Sequence, residues 1–323
     1  MDRVGLMRIA GVSEADLDAA REVIYQHLRP TPLVRLDLRD GHGGWAKLET
    51  MNPSGAFKVR GALAACSAYG AEGERIVTAS SGNHGIGVAY AATVLGVEAT
   101  VVVPANASPA KVAALRSFDI DLRLAGDGYD QAEEVALEIV AKGGRFLSSY
   151  NDPHVIAGQT TVVMEVIEQA PAAATVVVPI GGGGLVAGSI LAAASAQGWN
   201  VVGVESAQSR AVSTSADLGE VVQVEIGATI ADGLAGNIEP GTVSPDVIRA
   251  AGVPVLGVDD AHIRRAVALL AMRAGLVVEP AGASGVATML SGQLEAAGPV
   301  VFVLTGRNIS TALLRELLEI YDA

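Results

Sequence analysis

Lys58 lies in the run Asn52-Pro53-Ser54-Gly55-Ala56-Phe57-Lys58-Val59-Arg60-Gly61 and is one of four lysines in the chain, with Lys47, Lys111 and Lys142. An amine held between a glycine turn and an aromatic ring can be kept from water, which lowers its pKa toward neutrality and frees its lone pair for a carbonyl carbon. That is the requirement for a Schiff-base lysine. The ordinary reading of a single lysine, a solvated side chain at the start of a helix, is overturned only by what accompanies it.

Two glycine motifs accompany it. The segment Ala79-Ser80-Ser81-Gly82-Asn83-His84-Gly85 follows an apolar run and opens a helical pattern. There the free backbone N–H groups and the positive end of the helix dipole make an anion site, to which Ser81, Asn83 and His84 add neutral donors suited to a carboxylate. An N-cap and turn would use the same residue types. A second apolar run leads into Gly181-Gly182-Gly183-Gly184-Leu185 and another helical pattern. Four successive glycines cost backbone entropy and bring no side chain to the packing, which points to close approach by a polyanion. Neither a Gly-Lys-Ser/Thr nor the spacing of a dinucleotide fingerprint is present, so one isolated phosphate is the expected ligand. An amine nucleophile, a carboxylate site and a monophosphate cradle together describe a pyridoxal phosphate enzyme acting on an amino acid.

The elements that must position these residues read as parallel βαβ units. Apolar β-branched runs at 75–79, 100–103, 175–180, 201–205 and 300–305 are unbroken rather than alternating, as in strands covered on both faces. Helical patterns fall at 83–95, 108–117, 129–141, 155–169, 185–197, 261–274 and 311–321, and 61–69 reads as an alanine-rich helix containing Cys66. The runs cluster at about 75–150 and after about 170. A two-lobed α/β protein follows, with residues 75–150 as a small domain carrying the Ser-Ser-Gly-Asn-His loop, and 1–74 with 151–323 as a large one carrying Lys58, the tetraglycine and Thr305.

Composition narrows the function. Half of the 323 residues are apolar and the net charge is −13, which argues for a large core and against a nucleic-acid partner. The single cysteine allows no intrachain disulfide, and neither a targeting segment nor a membrane span is visible, so a cytoplasmic protein is expected.

The Phe57-Lys58 run, Ser-Ser-Gly-Asn-His-Gly and the tetraglycine, in this order, resemble the serine/threonine dehydratase and serine racemase family of fold-type II enzymes. The resemblance continues through Val155-Ile156-Ala157-Gly158-Gln159, Thr229-Ile230-Ala231-Asp232-Gly233, Glu279-Pro280-Ala281-Gly282-Ala283 and Thr305-Gly306-Arg307-Asn308, essentially from Thr31 onward. It implies a tryptophan synthase beta-like architecture of two open, mainly parallel twisted sheets flanked by helices, and usually a homodimer. It also implies roles. Lys58 would carry pyridoxal 5′-phosphate as an internal aldimine and take the substrate α-proton, and Phe57 would pack beside the ring. Asn83 would bond the 3′-oxygen, Gly181, Gly182, Gly183 and Gly184 would hold the phosphate, and Thr305 would face the pyridine nitrogen. Ser80, Ser81, Gly82, Asn83 and His84 would receive the substrate carboxylate, with Ser81 opposite Lys58 as the second base that racemases use. The implied reaction is loss of the β-hydroxyl from an amino acid such as L-threonine or L-serine, giving a 2-oxo acid and ammonia. Racemisation, or dehydration of 3-hydroxyaspartate or a hydroxyectoine-derived amino acid, would use the same residues, and a non-catalytic ligand-binding regulator would keep only the scaffold.

The chain departs from the family pattern at three places. Arg307 replaces the second glycine of Ser-Gly-Gly-Asn and Thr160 replaces the glycine after Gln159, either of which would reshape the substrate pocket. Family members with a divalent cation pair a glutamate with an aspartate six residues on; Glu205 matches the first, but Ala211 stands in the second place, so no metal is expected and Glu205 is a weak candidate. The chain ends soon after Thr305, and a C-terminal regulatory domain is not expected.

Overall fold

A computed structural model of the protein describes residues 1–38, 43–170, 172–296 and 298–319. The strands are β1 (Leu33–Asp37), β2 (Gly43–Leu48), β3 (Ile76–Ala79), β4 (Ala99–Val103), β5 (Asp121–Leu124), β6 (Arg145–Phe146), β7 (Thr175–Pro179), β8 (Asn200–Ser206), β9 (Val255–Val258) and β10 (Val300–Leu304). They form a six-stranded sheet in the order β1-β2-β10-β7-β8-β9 and a four-stranded sheet in the order β5-β4-β3-β6. Among the strand pairs of the described residues only β1–β2 is antiparallel.

The helices are α1 (Arg3–Ala10), α2 (Glu14–His27), α3 (Lys58–Ala71), α4 (Asn83–Leu95), α5 (Pro109–Leu115), α6 (Tyr129–Val140), α7 (Pro153–Gln169), α8 (Gly184–Ala193), α9 (Ala211–Leu218), α10 (Ser244–Ala251), α11 (Asp260–Ala274), α12 (Pro280–Leu290) and α13 (Thr311–Glu319). Residues 320 and 321 of the expected last helix lie outside the described residues.

Unbroken apolar strands are explained by cover on both faces. Val176 and Val178 of β7 join one core cluster with Val186 and Ile190 of α8, whereas Val177 between them joins another with Val286 and Ala287 of α12. In the smaller sheet Val101 and Val103 face the cluster built with α3 and α4, and Val102 faces Ala132 and Ala136 of α6. Successive side chains point to opposite faces, so each valine has its own core. The strands of the smaller sheet all fall between residues 76 and 146, yet α3, from before it in sequence, gives Val59, Leu63 and Cys66 to its core. Helix α3 therefore packs on the smaller sheet from outside that sheet's stretch of sequence. Cys66 is buried there, and burial pushes its thiol up to about 12, which leaves it unreactive.

The first turn of α3 is rooted by four fully buried ionic groups. Arg60 donates from Nε and Nη2 to Glu49 at 2.7 and 2.9 Å and from Nη1 and Nη2 to Glu165 at 2.6 and 2.9 Å. Lys47 donates to the same Glu165 at 2.6 Å and to the Thr31 carbonyl at 2.7 Å. Two cations and two anions balance. Burial alone would raise the Glu49 carboxyl, but Arg60 and then Lys47 hold it below its ordinary value. Removing one member strands an uncompensated charge, so Arg60→Leu is expected to lower the free energy of unfolding by about 3–5 kcal/mol. A chemical denaturation curve checks this, and a loss under about 1 kcal/mol would mean the network is not needed.

Candidate active site

The carboxyl ends of β3, β7 and β10 run straight into the Ser80 loop, the tetraglycine and Thr305, which is where open α/β sheets bind ligands. The Lys58 loop is zipped to one of these ends. Phe57 N–H donates to the Thr305 carbonyl at 2.9 Å and Arg307 N–H to the Gly55 carbonyl at 2.9 Å. Lys58 is thereby the first residue of α3, with its Nζ 2.7 Å from the Ser149 carbonyl and 5.2 Å from the centre of the Phe57 ring. Burial pulls the amine down to about 8. Among the described residues no carboxylate contacts it, so a neutral nucleophilic fraction exists at ordinary pH.

Two sets of unspent N–H groups surround this amine. Gly82 is the N-cap of α4 and no side chain caps that helix, so the helix-capping explanation for Ser80, Ser81 and Asn83 does not hold. Among the described residues, the N–H groups of Ser81, Asn83, His84 and Gly85 have no partner, and neither has the half-buried Ser81 hydroxyl. The same holds for the N–H groups of Gly181, Gly182, Gly183, Gly184 and Leu185. Gly183 is left-handed, with φ +94°. Packing also accounts for the tetraglycine, contrary to expectation: a Cβ at Gly182 would overlap the Tyr150 ring, and one at Gly183 would overlap Ser244. The anion reading therefore rests on the unspent donors rather than on the lack of side chains.

Asn83 sits between Asn308 and Glu279, receiving a hydrogen bond from Asn308 Nδ2 at 2.7 Å and donating one to Glu279 Oε1 at 2.8 Å. Burial raises the Glu279 carboxyl to about 7; Asp232 adds to the rise, while Asn83 and Lys111 oppose it. Thr305 is buried, and its hydroxyl has no partner among the described residues.

Other expected residues fall differently. The buried His84 ring lies with Nε2 3.2 Å from the Leu147 carbonyl, which can only accept, so its N–H is spent on the backbone and is not offered to a substrate. Burial and the nearby Lys58 charge drop this imidazole to about 3, so it is neutral. Glu205 accepts from Val212 N–H at 2.9 Å at the start of α9 and lies 3.3 Å from Arg210, an anchoring role for a buried carboxylate. Among the described residues no three His, Cys, Asp or Glu side chains are placed to hold a metal ion. Thr160 is buried, with its hydroxyl turned onto the Ala157 carbonyl at 2.6 Å and its backbone against Gly188 of α8, so it does not open into a pocket. Arg307 is exposed, and its side chain has no partner among the described residues. Sequence reasoning missed Ser149 and Tyr150, which face Lys58 and the tetraglycine, because nothing local distinguishes them.

This constellation is that of a pyridoxal phosphate enzyme, and the chain belongs to the family described as pyridoxal-phosphate dependent enzyme, whose pattern matches residues 24–306. Its relatives include the L-threonine ammonia-lyase of Geobacter sulfurreducens, 36% identical over 278 residues that make up 84% of this chain and 69% of that protein. The catabolic L-threonine dehydratase of Escherichia coli K12 is 34% identical over 284 residues, 86% of each chain. Among solved structures, maize serine racemase superposes with a TM-score of 0.87 at 28% identity, over 96% of this chain and 97% of that one. The residues present fit the family's cofactor: a buried amine with a neutral fraction for its aldehyde, unspent N–H groups for its phosphate and a free hydroxyl at a strand end.

The depressed amine gives a direct expectation. Labelled with an amine-selective reagent across pH, Lys58 in cofactor-free protein should react half-maximally near pH 8 rather than at the ordinary 10.5. A midpoint above 10, read by peptide mass mapping, would mean that water reaches the amine freely.

Proposed function

We propose that this chain is a lyase that eliminates the β-hydroxyl of L-threonine or L-serine as water and releases an enamine, whose hydrolysis takes up one water and gives a 2-oxo acid and ammonia. The observation that carries the reading is Lys58: an amine brought to about 8 by burial, in a family defined by pyridoxal phosphate and with relatives named threonine ammonia-lyase and threonine dehydratase. In this proposal Lys58 holds the cofactor aldehyde, Gly181 to Gly184 its phosphate, Asn83 its 3′-oxygen and Thr305 its ring nitrogen, with Phe57 beside the ring. The bound cofactor supplies an electron sink that acidifies the substrate α-carbon. The chain supplies the rest. The unspent N–H groups of Ser81, Asn83, His84 and Gly85 would orient the substrate carboxylate, and the Lys58 amine would take the α-proton. Thr305, a hydroxyl rather than a carboxylate, would face the ring nitrogen without enforcing its protonation, and the weaker electron sink that results would suit loss of a β-substituent.

The unpaired Arg307 favours a second reading, a hydroxylated substrate with an additional carboxylate such as 3-hydroxyaspartate. The likeness to serine racemase supports a third, in which the half-buried Ser81 hydroxyl returns a proton from the opposite face. The proposal includes a smaller lobe of residues 75–150 against one of 1–74 with 151–323, α3 being shared by their cores. It also includes a homodimer in the cytoplasm; among the described residues no helix is long and apolar enough to cross a membrane.

An oxo-acid assay over serine, threonine and 3-hydroxyaspartate of both configurations, with chiral analysis of recovered substrate, separates the readings. Threonine or serine is expected to yield oxo acid, and Lys58→Ala to lower that rate by more than about a thousandfold. Recovery of the opposite enantiomer without oxo acid, or full activity in Lys58→Ala, would refute the proposal.

A further inference from the structure

The Asn83 side chain is gripped at both ends by groups whose chemistry leaves no choice of orientation. Asn308 Nδ2 donates to the Ser54 carbonyl at 2.9 Å and to Asn83 Oδ1 at 2.7 Å. A backbone carbonyl can only accept, so the nitrogen of Asn308 must face it, both of its hydrogens are spent, and the oxygen of Asn83 must face Asn308. At the other end Asn83 Nδ2 donates to Glu279 Oε1 at 2.8 Å. An amide nitrogen carries two hydrogens, and the second on Asn83 has no partner among the described residues.

The grip is built into the surrounding backbone. Glu279 N–H donates to the Gly306 carbonyl at 2.9 Å, and a Cβ at Gly306 would overlap Glu279 Oε1, so a side chain at 306 would push the carboxylate off Asn83. Gly55 stands in the same relation to Asn308, whose side chain would be struck by a Cβ there. Two glycines thus make room for the two clamps.

We infer that Glu279 is a positioning residue which, with Asn308, locks the Asn83 amide so that its nitrogen, and never its oxygen, is presented to the 3′-oxygen of pyridoxal phosphate. This rests on the proposed placement of the cofactor against Asn83. A donated N–H favours the bound form whose 3′-oxygen is charged, which absorbs in the visible. An amide free to turn would present Oδ1 and favour the form with a neutral 3′-hydroxyl that donates to it, which absorbs in the near ultraviolet. A neutral glutamine at 279 keeps an acceptor oxygen in the same place and should keep the lock.

The test compares absorption spectra of wild-type, Glu279→Ala, Asn308→Ala and Glu279→Gln holoenzymes at equal cofactor content, measured after alkaline release, with thermal unfolding as a check of the fold. The near-ultraviolet to visible ratio is expected to rise roughly three- to tenfold in Glu279→Ala and Asn308→Ala, the scale of one hydrogen bond, and to stay at the wild-type value in Glu279→Gln. A purely structural role would lower the unfolding temperature without moving the ratio. Should Glu279→Ala fail to fold, Asn308→Ala carries the comparison alone. A wild-type ratio in the folded alanine variants, or a Glu279→Gln shift as large as that of Glu279→Ala, would overturn the inference. Wild-type protein that takes up no cofactor would instead overturn the proposed function beneath it.

Discussion

The buried quartet of Lys47, Glu49, Arg60 and Glu165 is the constraint on which the site depends, because it fixes the first turn of the helix that begins with Lys58. Residues two apart on a helix point about 200° away from each other, so Arg60 is rooted on one side while Lys58 is presented on the other. Burying four charges is costly, and the cost is offset only where geometry is good and every donor is used. Here the guanidinium meets two carboxylates through hydrogen bonds of 2.6 to 2.9 Å, and the carboxylates come from different elements, Glu49 after β2 and Glu165 from α7. Such an arrangement is satisfied in one register of α3. A slip of one residue would leave charges unpaired in the core, and Lys58 would leave the Ser149 carbonyl.

From that root the rest follows by short connections. The loop before α3 is bonded to Thr305 and Arg307 beyond β10, the Ser149 carbonyl receives Lys58, and Tyr150, next in the chain, packs on the tetraglycine. Asn83, at the start of α4, is tied to Asn308 and Glu279. Each proposed contact with the cofactor is thus supported by backbone or buried polar groups, the kind of support that positions a catalytic constellation.

Much of this was legible in the sequence, and the limits have physical causes. The helix expected over 83–95 matches α4 because a glycine N-cap and the αL Gly96 delimit it, and the β-branched runs near β3, β4, β7, β8 and β10 carry their own burial signal. β1, β2, β5, β6 and β9 lie outside the expected strands: β6 has two residues, β1, β2 and β5 mix polar with apolar side chains, and the apolar β9 is interrupted by Gly257. Lys58, the serine-asparagine loop and the tetraglycine are local motifs and announce themselves. The partners of Asn83 are 196 and 225 residues away, and those of Arg60 11 and 105, so only the folded chain pairs them. His84 illustrates the converse: its type suggested a donor for substrate, but the carbonyl of Leu147 had already claimed its N–H.

The central claim is a covalent one, that the ε-nitrogen of Lys58 is where the cofactor is held. Incubating the purified protein with pyridoxal phosphate, reducing with borohydride and sequencing the tryptic peptides by mass spectrometry addresses it directly. The account predicts one pyridoxyl group per chain, on Lys58. Recovery of the label on Lys47, Lys111 or Lys142 instead, or of no label at saturating cofactor, would contradict it.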